Sequence, residues 1–153
     1  MKKGISTAFP TSMMKTNSGA IHGIGNDIIE IDRLRLSIER HGHNFLNRLF
    51  SQREQDYCFK YQDPAPHFAG RFAAKEAIVK AFGTGFGAQI HWRDVEVIND
   101  EAGKPVVYLA NHIQEQFHHP RMLLSISHSS NYATAVALWI GGAYNEQLDT
   151  QVN

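Results

Sequence analysis

Cysteine is nearly absent from this chain, and net charge is absent altogether. Cys58 is the single cysteine in 153 residues, which excludes an internal disulfide framework and favours a reducing compartment such as the cytoplasm. Fifteen basic residues balance fifteen acidic residues, so the chain lacks the overall positive charge typical of nucleic-acid-binding proteins. A composition of 42% hydrophobic and 20% charged residues excludes widespread disorder and membrane spanning, and it predicts one folded domain.

The two ends of the chain are polar, and we expect neither to carry the function. Residues 1–3 are Met-Lys-Lys, as in a secretory signal peptide, but residues 4–19 are rich in Ser, Thr, Asn and Pro rather than apolar. We therefore predict a flexible leader over residues 1–19 and a polar tail over residues 145–153. Residues 20–144 are predicted to form a single domain.

Hydrophobic periodicity and turn residues predict helices early in the chain and strands late. Ser51 and Glu54 form a capping box before a short helix that leads to Lys60. Gly83 is placed for the left-handed cap of a long helix over residues 66–82. This order indicates the α+β class, with the early helices packed on a mainly antiparallel sheet. The expected strands span residues 20–26, 92–98, 105–110, 122–127 and 132–140, and further helices are expected after Asp27 and over residues 111–118.

Glu76 occupies an unusual position on the predicted long helix. It lies between Phe72 and Val79 on the apolar stripe and one turn before Lys80. A carboxylate on the core-facing side of a helix costs several kcal/mol unless a cation or strong hydrogen bonds compensate it. The position therefore indicates a metal ion or an ion pair. The plainer interpretation is a surface pair with Lys80, which stabilises a helix by a few tenths of a kcal/mol.

Two more ionisable residues stand beside turns. Asp27 ends the run Gly-Ile-Gly-Asn-Asp at the expected junction of the first strand and first helix, and His128 follows Ser127 at a predicted hairpin end. Each has a plainer alternative, because Asp27 is also suited to a helix N-cap and His128 to a solvated turn. The other eight histidines lack the Cys or carboxylate spacing of a zinc site and are interpreted as surface residues.

Taken together, these residues indicate phosphoryl chemistry. Asp27 and Glu76 supply the oxygen ligands that Mg²⁺ prefers, and Mg²⁺ commonly takes only one or two protein carboxylates because substrate phosphates complete its shell. Lys80 and His128 suit phosphate oxygens.

Three motifs in order resemble those of the holo-[acyl-carrier-protein] synthases, the small group of 4′-phosphopantetheinyl transferases. The resemblance covers the chain from about Ile21 to Ile140. It implies the fold of that family and transfer of the 4′-phosphopantetheine group of coenzyme A to a serine of apo acyl carrier protein, releasing 3′,5′-ADP. The motifs are Gly23-Ile24-Gly25-Asn26-Asp27-Ile28 with Glu30, Ile31 and Arg33; Arg71-Phe72-Ala73-Ala74-Lys75-Glu76-Ala77 with Lys80-Ala81-Phe82-Gly83-Thr84-Gly85; and Leu124-Ser125-Ile126-Ser127-His128 with Tyr132 and Ala133.

The resemblance also implies roles for individual residues. Asp27 and Glu76 would bind Mg²⁺ together with the pyrophosphate of coenzyme A. Lys80 would hold that pyrophosphate, and His128 would lie near the nucleotide. The serine proton would go either to Glu76 directly or to a metal-bound water relayed through Asp27. Arg53 and Arg71 are further candidates for the coenzyme A phosphates, with a structural role on a helix surface as the equal alternative for both. The backbone amides of Gly83, Thr84 and Gly85 would approach the nucleotide, although the helix cap is a sufficient role for Gly83.

Acyl carrier proteins are acidic, so the resemblance requires a basic docking surface on this neutral chain. Arg33 and Arg40 lie two turns apart on the helix after Asp27, and Arg35 lies to the flank. A solvated helix face is the plainer interpretation of these arginines. Family members are typically trimers with sites at subunit boundaries, and the resemblance implies the same here.

Two other functions are compatible with part of this pattern. A catalytically silent relative would bind acyl carrier protein or coenzyme A without transferring a group. An unrelated Mg²⁺-dependent nucleotide hydrolase would have the same carboxylates but would not need the basic helix.

Overall fold

The structure, a computed structural model, describes residues 19–141. The predicted leader and tail lie outside this range, apart from Gly19, which lies in a turn. No helix within residues 19–141 is both long and apolar enough to cross a membrane. The elements follow in the order β1 (Ile21–Glu30), α1 (Ile31–Leu49), α2 (Gln52–Cys58), α3 (Ala65–Phe82), β2 (Val95–Asn99), β3 (Pro105–Leu109), α4 (Asn111–Gln116), β4 (Arg121–His128) and β5 (Tyr132–Ile140).

The strands form two antiparallel sheets. β5 lies at the centre of a three-stranded sheet in the order β1-β5-β4, and β2 pairs with β3 in a separate hairpin. Both the α+β class and the antiparallel sheet of the sequence prediction are confirmed. The register places Asp27 opposite Ala135, and Thr134 Oγ1 donates a 2.8 Å hydrogen bond to the Asp27 carbonyl oxygen.

Helix α3 is buried on nearly every side, because it lies between the three-stranded sheet and the other helices. Small residues permit this, above all Ala77 and Ala81 on the side that faces β1. Gly25 of β1 is equally necessary, since a Cβ there would stand 2.0 Å from the Ala77 carbonyl oxygen. The close approach of β1 to α3 brings the polar residues of both elements together.

Both predicted helix ends are confirmed. Ser51 Oγ accepts a hydrogen bond from the Glu54 amide, and Glu54 Oε2 accepts one from the Ser51 amide, which is the reciprocal capping box. Gly83 ends α3 with φ 76°, a left-handed conformation that glycine adopts without steric cost.

Several element boundaries differ from the prediction, three of them by more than the rest. β1 continues to Glu30 because it stays paired with β5 as far as Tyr132, so Asp27 lies within the strand and not at its end. The helix after β1 runs on to Leu49, with a kink at Gly42, whose φ is 54°. Residues 92–94 form a 3₁₀ turn rather than the start of a strand.

Candidate active site

The side chains of Asp27 and Lys80 meet where β1 crosses α3. Lys80 Nζ lies 2.8 Å from Asp27 Oδ1 and also donates to the Asn26 carbonyl oxygen at 3.0 Å. The Asp27 side chain is largely buried, whereas that of Lys80 is half exposed. The carboxylate of β1 thus forms an ion pair with a lysine of α3, and the lysine side chain remains accessible to solvent.

Glu76 lies beside this pair, and its environment is electrostatically unfavourable for a second carboxylate. Burial raises the pKa of Glu76, the Asp27 charge raises it further, and Lys80 acts in the opposite direction. The apolar stripe predicted for α3 includes Glu76, but in the structure this side chain is half-buried and lines a cavity. Because two carboxylates share one lysine there, the site favours the addition of a cation.

The cavity, which we call the acid cavity, has a volume of about 580 Å³. It extends from Asp27 and Glu76 to helix α1, so that acidic, basic and apolar side chains share one space. Its lining consists of Asp27, Ile28, Ile29, Glu30, Arg33, Leu34, Ser37, Phe45, Phe72, Glu76 and Tyr132. The sequence prediction that Asp27 and Glu76 act as one group is consistent with their shared cavity.

The donor set of the acid cavity suits Mg²⁺ better than zinc. Among residues 19–141, no three His, Cys, Asp or Glu side chains come together as a complete metal cage. Asp27 and Glu76 therefore offer two carboxylates, with open space beside them for water and substrate oxygens. That arrangement matches the partial coordination by which Mg²⁺ is usually bound.

His128 lies in a different cavity, which we call the arginine cavity. Its volume is about 180 Å³, and no residue lines both cavities. Arg71 is 3% exposed there, donates to Asn99 Oδ1 at 2.8 Å, and holds its guanidinium 3.9 Å from the centre of the Tyr57 ring. The lining residues are Tyr57, Pro66, His67, Gly70, Arg71, Asn99, Gly103, Pro105, Ile126 and His128. Arg71 and His128 therefore line one cavity of the chain, whereas Asp27 and Glu76 line another.

Arg53 lines neither cavity. Its guanidinium pairs with Glu96 Oε2 at 2.8 Å and lies 5.2 Å from the centre of the Tyr108 ring. The role of Arg53 in binding phosphates stays a prediction, and Glu96 already compensates its charge within the chain.

The loop of Gly83, Thr84 and Gly85 also differs from the expectation. We expected its backbone amides to approach a nucleotide, but all three donate to carbonyl oxygens of α3. The Gly83 amide bonds to the Lys80 oxygen at 3.0 Å, and the next two bond to the Val79 oxygen at 3.2 and 3.4 Å. These amides close the helix end, while Thr84 Oγ1 is buried without a partner among the described residues.

The predicted docking arginines are not equivalent. Arg33 and Arg40 are exposed, and neither forms an ion pair within the described part of the chain. Arg35 instead binds both carboxylate oxygens of Asp63, at 2.6 and 3.0 Å, and contacts Asp32 at 3.4 Å. Asp63 and Asp32 of the same chain therefore largely compensate the charge of Arg35. Arg33 also lines the acid cavity, which makes it the arginine nearest the candidate chemistry.

Sequence reasoning missed a buried ion pair next to Glu76. Lys75 is fully buried, and its Nζ lies 2.8 Å from Glu54 Oε2 and within hydrogen-bond distance of the Leu49 and Trp92 carbonyl oxygens. Burial lowers the pKa of Lys75, and the Glu54 charge opposes that effect. The capping box explained Glu54 sufficiently from sequence, so nothing indicated a second partner. The pair joins α2 to α3 and holds the helix that carries Glu76 and Lys80.

His67 is the other residue that sequence reasoning missed. It was grouped with surface histidines, yet it is half-buried and lines the arginine cavity. Its position one turn before Arg71 on α3 was the available signal, because residues four apart share one helix face.

Comparisons with known proteins agree with this geometry. The sequence model of the 4′-phosphopantetheinyl transferase superfamily matches residues 23–137. The holo-[acyl-carrier-protein] synthase of Protochlamydia amoebophila is 55% identical over 117 residues, which cover 76% of this chain and 96% of that protein. The holo-[acyl-carrier-protein] synthase structure from Neisseria meningitidis has a TM-score of 0.72 at 28% identity and covers 78% of this chain and 98% of that one. The structure from Bacillus anthracis, in complex with CoA (3′,5′-ADP), has a TM-score of 0.69 at 35% identity and covers 80% and 98%.

Proposed function

The chain belongs to the 4′-phosphopantetheinyl transferase superfamily, and we infer that it transfers the 4′-phosphopantetheine group of coenzyme A to a serine of apo acyl carrier protein. The products are holo acyl carrier protein and 3′,5′-ADP, and the reaction serves fatty acid biosynthesis. Among the observations, the shared position of Asp27, Glu76 and Lys80 carries this conclusion. Transfer from a pyrophosphate needs positive charge around the phosphoryl group and an acceptor for a proton. Lys80 supplies positive charge, and the two carboxylates can both attract a cation and accept the proton.

Within this function, we propose that Asp27 and Glu76 hold Mg²⁺. When bound, Mg²⁺ would neutralise pyrophosphate charge and assist attack on phosphorus. Lys80 would bind the pyrophosphate and stabilise the departing 3′,5′-ADP, because its side chain is half exposed while its ammonium group lies against Asp27. The attacking serine must lose its proton, and the Asp27–Glu76 carboxylate pair supplies the acceptor.

We propose that Arg71 and His128 bind the nucleotide end of coenzyme A. Arg71 is buried, positively charged and partly unpartnered, which suits an anion. Since the acid cavity and the arginine cavity share no residue, one molecule of coenzyme A would use the acid cavity of one subunit and the arginine cavity of its neighbour.

That arrangement requires an oligomer, and we propose a homotrimer with sites at the subunit boundaries. The sheet face opposite α3 supports this proposal, because it exposes apolar side chains on all three strands. Ile24 and Ile28 of β1 are each 66% exposed, Leu123 of β4 is 45% exposed and Val136 of β5 is 42% exposed. An exposed apolar face of this kind is typical of a subunit interface.

We propose that acidic acyl carrier protein docks on α1 beside the acid cavity. Arg33 and Arg40 supply free positive charge, and Arg33 joins the docking surface to the cavity that holds Asp27 and Glu76. Arg35 contributes less, because Asp63 binds it through two hydrogen bonds. A cytoplasmic location is part of the same proposal and is supported by the single-cysteine composition.

Mass spectrometry tests the proposed function directly. Apo acyl carrier protein is incubated with this chain, coenzyme A and Mg²⁺, and we expect the carrier to gain one phosphopantetheine group. An unmodified carrier, or hydrolysis of coenzyme A without transfer, would contradict the proposal. The second outcome would instead favour a nucleotide hydrolase.

The metal site is tested by substitution and chelation. We expect Asp27→Asn and Glu76→Gln each to lower turnover by about 100-fold or more, because one of two metal ligands is lost. Glu30→Gln is the matched control, since Glu30 is a carboxylate that lines the same cavity. Turnover that persists in excess chelator, or an equal loss in Glu30→Gln, would exclude the assignment of the ligands.

A further inference from the structure

The arginine cavity is built to receive an anion. Its lining contains Arg71, His67 and His128 but no carboxylate. Arg71 Nε is buried and has no hydrogen-bond partner within residues 19–141, although the side chain is only 3% exposed. A buried guanidinium N–H without a partner costs free energy, so the site favours an acceptor beyond those that residues 19–141 supply. Asp63, whose charge acts on His67, is bound by Arg35 through both oxygens.

His67 is held in place beside this unpartnered group. Its ring stacks on the Tyr61 ring at a centroid distance of 3.5 Å and an angle of 16°, and it meets the His128 ring edge to face at 5.6 Å. Burial lowers the pKa of His67, and the charges of His128 and Arg71 lower it further, while Asp63 raises it. An anion between these three side chains would remove the repulsion and provide acceptors for their N–H groups.

The chemistry of coenzyme A identifies the anion. Its pyrophosphate is proposed to lie in the acid cavity, which leaves the 3′-phosphate as the remaining phosphoryl group. A phosphate monoester carries nearly two negative charges at pH 7 and three acceptor oxygens, which matches three N–H-bearing side chains. We propose that His67 is a specificity residue that binds the 3′-phosphate of coenzyme A together with Arg71 and His128. This inference rests on the proposed function and adds His67 as the residue by which coenzyme A is distinguished from 3′-dephospho-coenzyme A.

Steady-state kinetics with coenzyme A and with 3′-dephospho-coenzyme A test the inference in the full-length protein. His67→Phe retains a ring that can stack on Tyr61 but removes the N–H groups and the charge. His67→Arg retains a planar cation that can stack in the same place. His112→Gln is the matched control, because His112 is exposed on α4 and lines neither cavity.

We expect His67→Phe to raise the KM for coenzyme A roughly tenfold and to leave kcat and the KM for the dephosphorylated form unchanged. His67→Arg should keep the KM ratio of the two substrates within about twofold of the unsubstituted protein, as should His112→Gln. If His67 served only in packing, His67→Phe would retain the ratio of the KM values for the two substrates and His67→Arg would change it. That result would overturn the inference.

Two further outcomes separate the inference from the function on which it rests. Unsubstituted protein that modifies carrier protein equally well with both substrates would overturn the role of His67 and leave the proposed function intact. Unsubstituted protein that modifies carrier protein with neither substrate would overturn both. Equal changes in both KM values for His67→Phe would also exclude phosphate recognition, and thermal unfolding of each variant would confirm that it is folded.

Discussion

At the scale of single residues, the site depends as much on small side chains as on charged ones. Gly25 lies two positions before Asp27, and its lack of a Cβ lets β1 contact the backbone of α3. Lys80 Nζ reaches both Asp27 Oδ1 and the Asn26 carbonyl oxygen only because the two elements are this close. Gly25 therefore sets the distance between Asp27 and Lys80, the two groups proposed to act in catalysis.

The substitution Gly25→Ala should separate the strand from the helix. Its Cβ would stand 2.0 Å from the Ala77 oxygen and 2.6 Å from the Ala81 nitrogen, both backbone atoms that cannot rotate away. We expect a loss of about 1–3 kcal/mol in the free energy of unfolding and a lower kcat, measured by denaturant titration and by carrier-protein modification. Gly87→Ala is the control, because Gly87 has open space around its Cα and should change neither quantity. Full stability in Gly25→Ala would show that the contact is not tight.

At the scale of elements, we propose that α1 binds the carrier protein and that α3 carries the catalytic side chains. Helix α3 carries Glu76 and Lys80 and is anchored from behind by the buried pair of Lys75 with Glu54. Helix α1 buries Ile31 and Leu34 and leaves its arginines on the outer side. The two helices share the wall of the acid cavity, so a carrier protein bound to α1 would present its serine to α3.

Substitutions on α1 should distinguish the arginines by their partners. We expect Arg33→Gln to raise the KM for acyl carrier protein about fivefold with little change in the KM for coenzyme A, because exposed charges chiefly steer an acidic partner. Arg35→Gln is the matched comparison and should raise that KM less, since Asp63 already binds Arg35. It should instead lower stability by up to about 1 kcal/mol, the usual range for an exposed ion pair. Equal changes in the KM for both substrates would contradict docking on this face.

At the scale of the whole molecule, the described residues cover the three-stranded sheet on one face only. Helix α3 packs on the inner face, and the outer face exposes a group of apolar side chains that a small domain does not bury by itself. A homotrimer would cover this face and would also bring together the two separate cavities. Assembly and activity are therefore expected to depend on the same surface.

The substitution Val136→Asp should test that dependence. Val136 is on the central strand and is 42% exposed. The carboxylate of an aspartate at this position would stay in contact with water in a monomer, but an interface between subunits would bury its charge. We expect light scattering after size-exclusion chromatography to show monomers and carrier-protein modification to fall by at least tenfold. Leu36→Asp places the same charge on an exposed apolar site of α1 and should leave the oligomeric state unchanged. Unsubstituted protein that is monomeric and active would exclude the trimer.

Much of this protein follows from local sequence patterns. The capping box at Ser51, the left-handed cap at Gly83 and the alternating late strands are short-range signals, and the structure confirms each of them. Asp27 and Glu76 line one cavity, and their joint action on a metal ion stays a prediction. Motif order was sufficient for the family, because the motifs span nearly the whole domain.

Tertiary structure alone decided which charges are available. Lys80 forms its ion pair with Asp27 and not with Glu76. Asp63 compensates the charge of Arg35, and Glu96 compensates that of Arg53. His67 lines the same cavity as Arg71. None of the ion pairs among these contacts is local in sequence, and the strength of a charge depends on burial and on partners that only packing brings near. Residue types and spacing therefore determined the fold class and the kind of chemistry. The three-dimensional arrangement determined which side chains remain free to perform it.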